Sequence, residues 1–189
     1  MSSGTARGAA WWLAPLRPAA IGMAAVVVAL LVASRQLPAH TILIWSSAGK
    51  KGLAASRSDL EIVVVITSLI VIGIWVVASA ALAFMPARHI LVPHAVYWKG
   101  GGRDRTRDMR HRFAIYVSRA IGITFWFLAA EVVAALVSQK NGLLESPWLP
   151  VIISILYIIA LLVFAVWAFA DGFQPPSRAA QEQARRRTA

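Results

Sequence analysis

Four stretches of the chain are apolar for about twenty residues or more, and polar residues collect between them. A helix rises 1.5 Å per residue and the hydrocarbon core of a bilayer is roughly 30 Å thick, so about 20 mostly apolar residues suffice to cross it. The pattern predicts membrane-spanning helices at about 19–37, 62–85, 113–138 and 149–170. The first is centred on Val26, Val27, Val28, Ala29, Leu30 and Leu31. The second and fourth contain no charge, while Arg119 and Glu131 interrupt the third. The second is rich in Val and Ile, as buried strands are, but strands run 4–8 residues and open strands in lipid leave backbone groups unpaired. The first stretch follows Arg7 and Arg17, as a signal peptide's apolar region follows its basic leader. It is longer than such a region, and Leu31 precedes Ala33 where a cleavage site wants a small residue, so the expectation is an uncleaved span.

Composition agrees with the pattern. Of the 189 residues 59% are hydrophobic and 14% charged, cysteine is absent, and the mean hydropathy is +0.67. Ordinary soluble domains are about 45–50% apolar and roughly a quarter charged. A large soluble enzyme, a disordered chain and a disulfide-stapled secreted domain are thereby excluded. The expected class is all-α: an integral membrane four-helix bundle over 19–170, with an N-terminal tail at 1–18 and a basic tail at 171–189.

The net charge of +11 sharpens this picture through its distribution. The N-terminal tail, the segment between the second and third spans, and the C-terminal tail together hold 13 Lys and Arg. The segments on the other side hold 5: Arg35, Lys50, Lys51, Arg57 and Lys140. Basic loops stay on the cytoplasmic side, so both termini are expected there, in a bacterial inner membrane. Trp11, Trp12, Tyr97, Trp98, Trp148 and Trp167 fall near span ends, where aromatic rings with a polar tip prefer to sit. The run from Arg103 to Arg112 lacks the interleaved aromatics and the motif of a nucleic-acid site, so nucleic acid is not expected as a partner. Anionic lipid headgroups are. The spacing of Asp104 with Arg107 and of Asp108 with Arg112 suits a short helix leading into the third span.

Polar groups inside the spans are the candidate chemistry. Glu131 lies about eight residues from the far end of the third span, roughly 12 Å deep. A carboxylate there costs a few kcal/mol or more on insertion scales, so it must be protonated, paired or in a wet cavity. Thr124 and Ser138 sit seven residues either side of it, on one stripe. Thr67 and Ser68 of the second span, and Ser154 and Tyr157 of the fourth, fall at similar depth. These seven residues form a candidate intramembrane polar layer. It would serve either as a proton- or cation-attracting site or as hydrogen-bonded glue between helices. Arg119 can snorkel to the headgroups. Small residues recur every fourth position at Ala25, Ala29 and Ala33 and at Ala114, Ser118 and Gly122. Such rows let helices approach closely and permit a homodimer without requiring one. No metal-ligand spacing and no nucleophile–base pair is evident, so no enzymatic activity, metal or cofactor is expected.

The segment after the first span reads Leu37, Pro38, Ala39, His40, then Trp45, Gly49, Ser56 and Arg57. It resembles the bacterial membrane family called domain of unknown function 1648, whose first external loop begins Leu-Pro and continues through His-Trp, Gly and Ser-Arg. A second likeness runs through Val92, Pro93, His94, Tyr97, Trp98 and Arg103, similar to that family's Pro-Asn-x-x-Tyr-Trp segment. Asn141 is similar to the Asn that often closes the third helix. The chain departs from the family at Ile44, where the family has its loop His, and at Lys50, Lys51 and Gly52, which replace an acidic-glycine turn. The same domain opens the immunity protein of the sporulation-delaying-toxin system. The resemblance therefore implies a sensing or immunity-type binding protein that meets a peptide or partner protein at its external loops, around Trp45, Gly49 and His40. The polar layer around Glu131 gives the alternative of a small transport or efflux subunit.

Overall fold

The computed structural model describes residues 15–37, 56–100, 102–140 and 148–175, with the side chains of 138–140 and 148 outside that description. It is all-α over the described residues. Helix α1 covers Arg17–Gln36, α2 Arg57–Phe84, the short α3 Ala95–Gly100, α4 Gly102–Lys140 and α5 Trp148–Trp167, which ends in one wide π turn at Ala168–Gly172. A single 3₁₀ turn at Ala87–His89 precedes α3. Four of these helices are long and apolar enough to cross a membrane, so the chain is a membrane-embedded helical bundle.

The boundaries follow local chemistry. Pro18 opens α1, where its missing N–H is no loss. Ser56 caps α2 in a capping box: its side chain accepts from the Asp59 N–H, and the Asp59 carboxylate accepts from the Ser56 N–H at 2.8 Å. The basic run expected as a separate short helix is instead the first turns of α4. That helix has 39 residues, and at 1.5 Å each it extends well beyond a bilayer core of roughly 30 Å.

The long α4 is the hub, and α1, α2 and α5 each pack along it. Of its apolar window 39% is buried within the chain, against none of the corresponding window of α5. In water such a bare helix would be an aggregation surface; in lipid it is simply the solvated side. Helix α1 runs parallel to α4, with Pro18 against Gly122 and Gly22 against both Gly122 and Phe125. Its buried residues Ala19, Gly22, Val26, Ala29 and Ala33 repeat at alternating steps of three and four, the seam of two closely aligned helices. Ala29 and Ala33 of the first small-residue row thus lie in the seam, as do Ser118 and Gly122 of the second. Helices α2 and α5 run antiparallel to α4, so four crossings return the chain to the side from which α1 starts.

That shared end is built by α4 itself. Arg110 donates through Nη1 to the Ala83 carbonyl at 2.6 Å and through Nη2 to the Met85 carbonyl at 2.8 Å, at the end of α2. Arg112 Nη1 and the Tyr116 hydroxyl donate to the Gly172 carbonyl at 3.2 and 2.9 Å, at the end of α5. At the opposite end Arg57 Nη1 donates to the Ser34 carbonyl of α1 at 2.9 Å. The last carbonyls of a helix have no partner of their own and carry its negative dipole end. Each of these three spans therefore ends on a guanidinium supplied by a neighbouring helix.

Candidate functional site

The polar residues expected inside the bilayer fall into two sets. Those of α4 and α5 meet. The Thr124 and Tyr157 hydroxyls hydrogen-bond at 3.0 Å, and Thr124 also donates back to the Ala120 carbonyl at 3.1 Å. With its proton so used, Thr124 accepts from the tyrosine. The Tyr157 ring lies stacked on Phe127, centroids 4.3 Å apart and planes 16° from parallel. One helical turn further along, Ser154 of α5 lies near the Glu131 carboxyl group. Glu131 is half-buried, and its Oε1 atom is buried with no hydrogen-bond partner. Helical spacing explains the pairing: 124, 127 and 131 share one face of α4, and 154 and 157 share one face of the antiparallel α5.

The residues of α2 do not join this set. Ser68 Oγ is buried without a partner, on the face that also carries the buried Val64 and Val71 toward α4. Thr67 is half-buried beside it. The continuous layer across three helices is thus reduced to an α4–α5 pair of contacts, because depth alone does not set which face a residue occupies. Ser138 lies outside the residues whose side chains are described, and His40, Trp45 and Gly49 lie outside the described residues altogether.

The basic end of the bundle holds a second cluster that the sequence reading did not single out. Trp98 is 2% exposed and packs with Ile90, Met109 and Phe173. Its indole N–H donates to the Phe173 carbonyl at 2.9 Å. The Arg112 guanidinium lies over the Trp98 ring at 5.1 Å, and Arg105 over the Tyr97 ring at 4.5 Å. Before this helix His94 adopts a left-handed backbone, φ 54°, with its carbonyl accepting from the Tyr97 and Trp98 N–H groups. Asn and His tolerate that conformation better than most residues. The Pro93–Trp98 segment is therefore a turn followed by an anchor for the end of α5. Its sequence signal was present, in the Tyr97-Trp98 pair at a span boundary, but what the pair holds is 75 residues away.

No protein-family model, curated protein or solved structure matches the chain.

Proposed function

We propose that the chain is a multi-pass bacterial inner-membrane protein of the sensing or immunity type, acting without catalysis through the segment between α1 and α2. In this reading both ends of the four-span unit are cytoplasmic, and a peptide or partner protein meets the external segment around His40, Trp45 and Gly49. The observation that carries the reading is the clamp at the base of that segment. Arg57 ties the start of α2 to the Ser34 carbonyl of α1, and the Ser56–Asp59 capping box fixes the first turn of α2 beside it. Residues 38–55 thus connect two helix ends held together, whereas connections between neighbouring helices usually need 2–8 residues. A long segment on a fixed base is how rigid scaffolds present binding loops. The resemblance of Leu37, Pro38, Trp45, Gly49, Ser56 and Arg57 to family 1648 supports the same reading.

A photocrosslinking residue in place of Trp45, in native membranes, is expected to give one discrete adduct. The same residue in place of Val63, which is 60% exposed on the apolar surface of α2, should give none. Absence of an adduct from position 45 overturns the reading.

A second reading, a small transport or efflux subunit, is favoured by the unpartnered Oε1 of Glu131 between α4 and α5. An acidic oxygen with a free acceptor at that depth is suited to take a proton or a cationic group. Glu131→Gln keeps the shape but removes the ionisable group. In proteoliposomes it is expected to abolish both dye-reported proton uptake and ethidium efflux; flux equal to the unaltered protein removes this reading.

A further inference from the structure

The chain leaves α2 at Phe84 and reaches α4 through a loop whose two faces differ. One face is packed: Ile90 and Trp98 are buried together with Met109 of α4 and Phe173, the residue that follows the end of α5. The other face is apolar and bare. Leu91 is 83% exposed and Val96 91%, and among the large apolar side chains of the described residues only Phe84 is comparably open. Local geometry accounts for the opposition. Ile90 is extended, so its neighbour Leu91 points the other way. Val96 and Trp98 stand two residues, or about 200°, apart on α3. Lys99 Nζ donates to the Arg88 carbonyl at 3.0 Å, which closes residues 88–99 into one loop carrying both bare side chains.

The height of the loop is set by what its packed face holds. The Trp98 N–H bonds to the carbonyl of Phe173, one residue past the end of α5, and Arg110 holds the carbonyls of Ala83 and Met85 at the end of α2. Residues 88–99 therefore lie level with the exits of both spans. The polar zone on each side of a bilayer core is roughly 5–8 Å deep, and the loop falls within it. Because the packed face looks toward α4, the bare face looks away from it, over the lipid around the bundle.

The surface fits lipid rather than a protein partner. It continues the apolar surface of α2 from Phe84, and the sequence has no acidic residue between Glu61 and Asp104, while Arg88, Lys99 and Arg103 fall in that stretch. Apolar side chains flanked by basic ones suit an interface of anionic headgroups with acyl chains beginning just beside them. We propose that residues 88–99 are an interfacial anchor: Leu91 and Val96 enter the lipid leaflet around this end of the bundle, with Arg88 and Lys99 among anionic headgroups. Through Trp98 the same loop ties the end of α5 to the membrane surface. The anchor is independent of what the segment 38–55 binds and of any role of Glu131.

The chain has no cysteine, so Leu91→Cys, Val96→Cys, Val63→Cys and Arg103→Cys can each place a single nitroxide on the full protein. The vesicles are dioleoyl phosphatidylcholine, with or without a quarter of dioleoyl phosphatidylglycerol. Oxygen concentrates in lipid and a nickel chelate in water, and power saturation reads the access of each. Labels at positions 91 and 96 are expected to meet oxygen in preference to the chelate, as at the apolar α2 surface of position 63. The label at position 103, on the exposed first turn of α4, should show the reverse. Val96→Ser should lower the ratio of inserted to withdrawn loop, read at position 91, about tenfold, because an apolar side chain is lost from the lipid. Arg88→Gln should lower it about fivefold in the vesicles with phosphatidylglycerol and leave it unchanged in phosphatidylcholine alone. Circular dichroism and gel filtration of each variant separate loss of insertion from loss of fold. Chelate access at positions 91 and 96 equal to that at 103 would overturn the anchor. So would exclusion of both reagents, as under a protein partner or a second copy, or a ratio that either substitution leaves unchanged in phosphatidylglycerol.

Discussion

Replacing Gly122 by valine is expected to separate α1 from α4 and to give a large loss of stability. A Cβ at this position would stand 2.7 Å from the Pro18 carbonyl oxygen and 3.0 Å from its carbon. Those are backbone atoms of a helix, so no side-chain rotation relieves the clash. The partner position is equally tight, since a Cβ on Gly22 would meet the Gly122 carbonyl oxygen at 2.8 Å and Phe125 Cβ at 2.9 Å. In lipid the helices gain nothing from hiding apolar surface as such, and close packing is the main attraction left. Pushing α1 outward loses the contacts of Ala19, Val26, Ala29 and Ala33 together. Overpacking commonly costs 1–3 kcal/mol, and a loss of about 3 kcal/mol or more is expected here. Gly73→Ala is the matched control, because nothing lies within 4 Å of a Cβ there. Fractions remaining monodisperse after heating in detergent should fall sharply for Gly122→Val and stay unchanged for Gly73→Ala. Equal behaviour of the two would mean that the Gly22–Gly122 crossing does not hold the bundle.

Trp98→Ala is expected to release the end of α5. The side chain fills a buried pocket with Ile90, Met109 and Phe173, and removing a buried Trp or Phe costs about 3–5 kcal/mol. It also leaves the Phe173 carbonyl without its donor and the Arg112 guanidinium without its ring. Trp98→Phe separates these terms. It keeps most of the apolar volume and loses the N–H, so a cost of about 1–3 kcal/mol is expected for the orphaned carbonyl. Hydrogen exchange across the π turn and Phe173 should accelerate strongly in Trp98→Ala and moderately in Trp98→Phe. Exchange unchanged in both variants would show that Arg112 and Tyr116 alone hold the turn.

Gly172 adds a reason for the wide turn. A Cβ on it would lie 2.6 Å from the Tyr116 hydroxyl, so a side chain at 172 would block the bond that hydroxyl makes to the Gly172 carbonyl. The aromatic residues around it, Phe113, Tyr116, Trp167 and Phe173, meet mostly edge to face, which suits rings packed from several elements.

Several particulars were legible in the residues alone. The four spans follow from apolar runs longer than any strand, and they recur at α1, α2, α4 and α5 with ends shifted by a few residues. The largest shift is at the start of α4, where the basic run continues the helix rather than standing apart. Charge marks where a span leaves the hydrocarbon, not where hydrogen bonding along the backbone stops. Glu131, Thr124, Ser154 and Tyr157 stand out in the sequence as polar residues at one depth, and the structure places them along the α4–α5 contact, where Thr124 and Tyr157 hydrogen-bond. Thr67 and Ser68, on α2, make no hydrogen bond with these residues.

What the sequence by itself determined is the class and the number of crossings, because the bilayer imposes one dominant demand: every backbone group must be satisfied within an apolar run about twenty residues long. What only the tertiary structure decided is which helix is central, which faces meet, and what the charges do. Those depend on contacts between distant positions, such as Pro18 with Gly122 and Trp98 with Phe173. The surplus of arginine has the same history. That Arg57, Arg110 and Arg112 terminate three neighbouring helices follows only once α4 is placed at the centre.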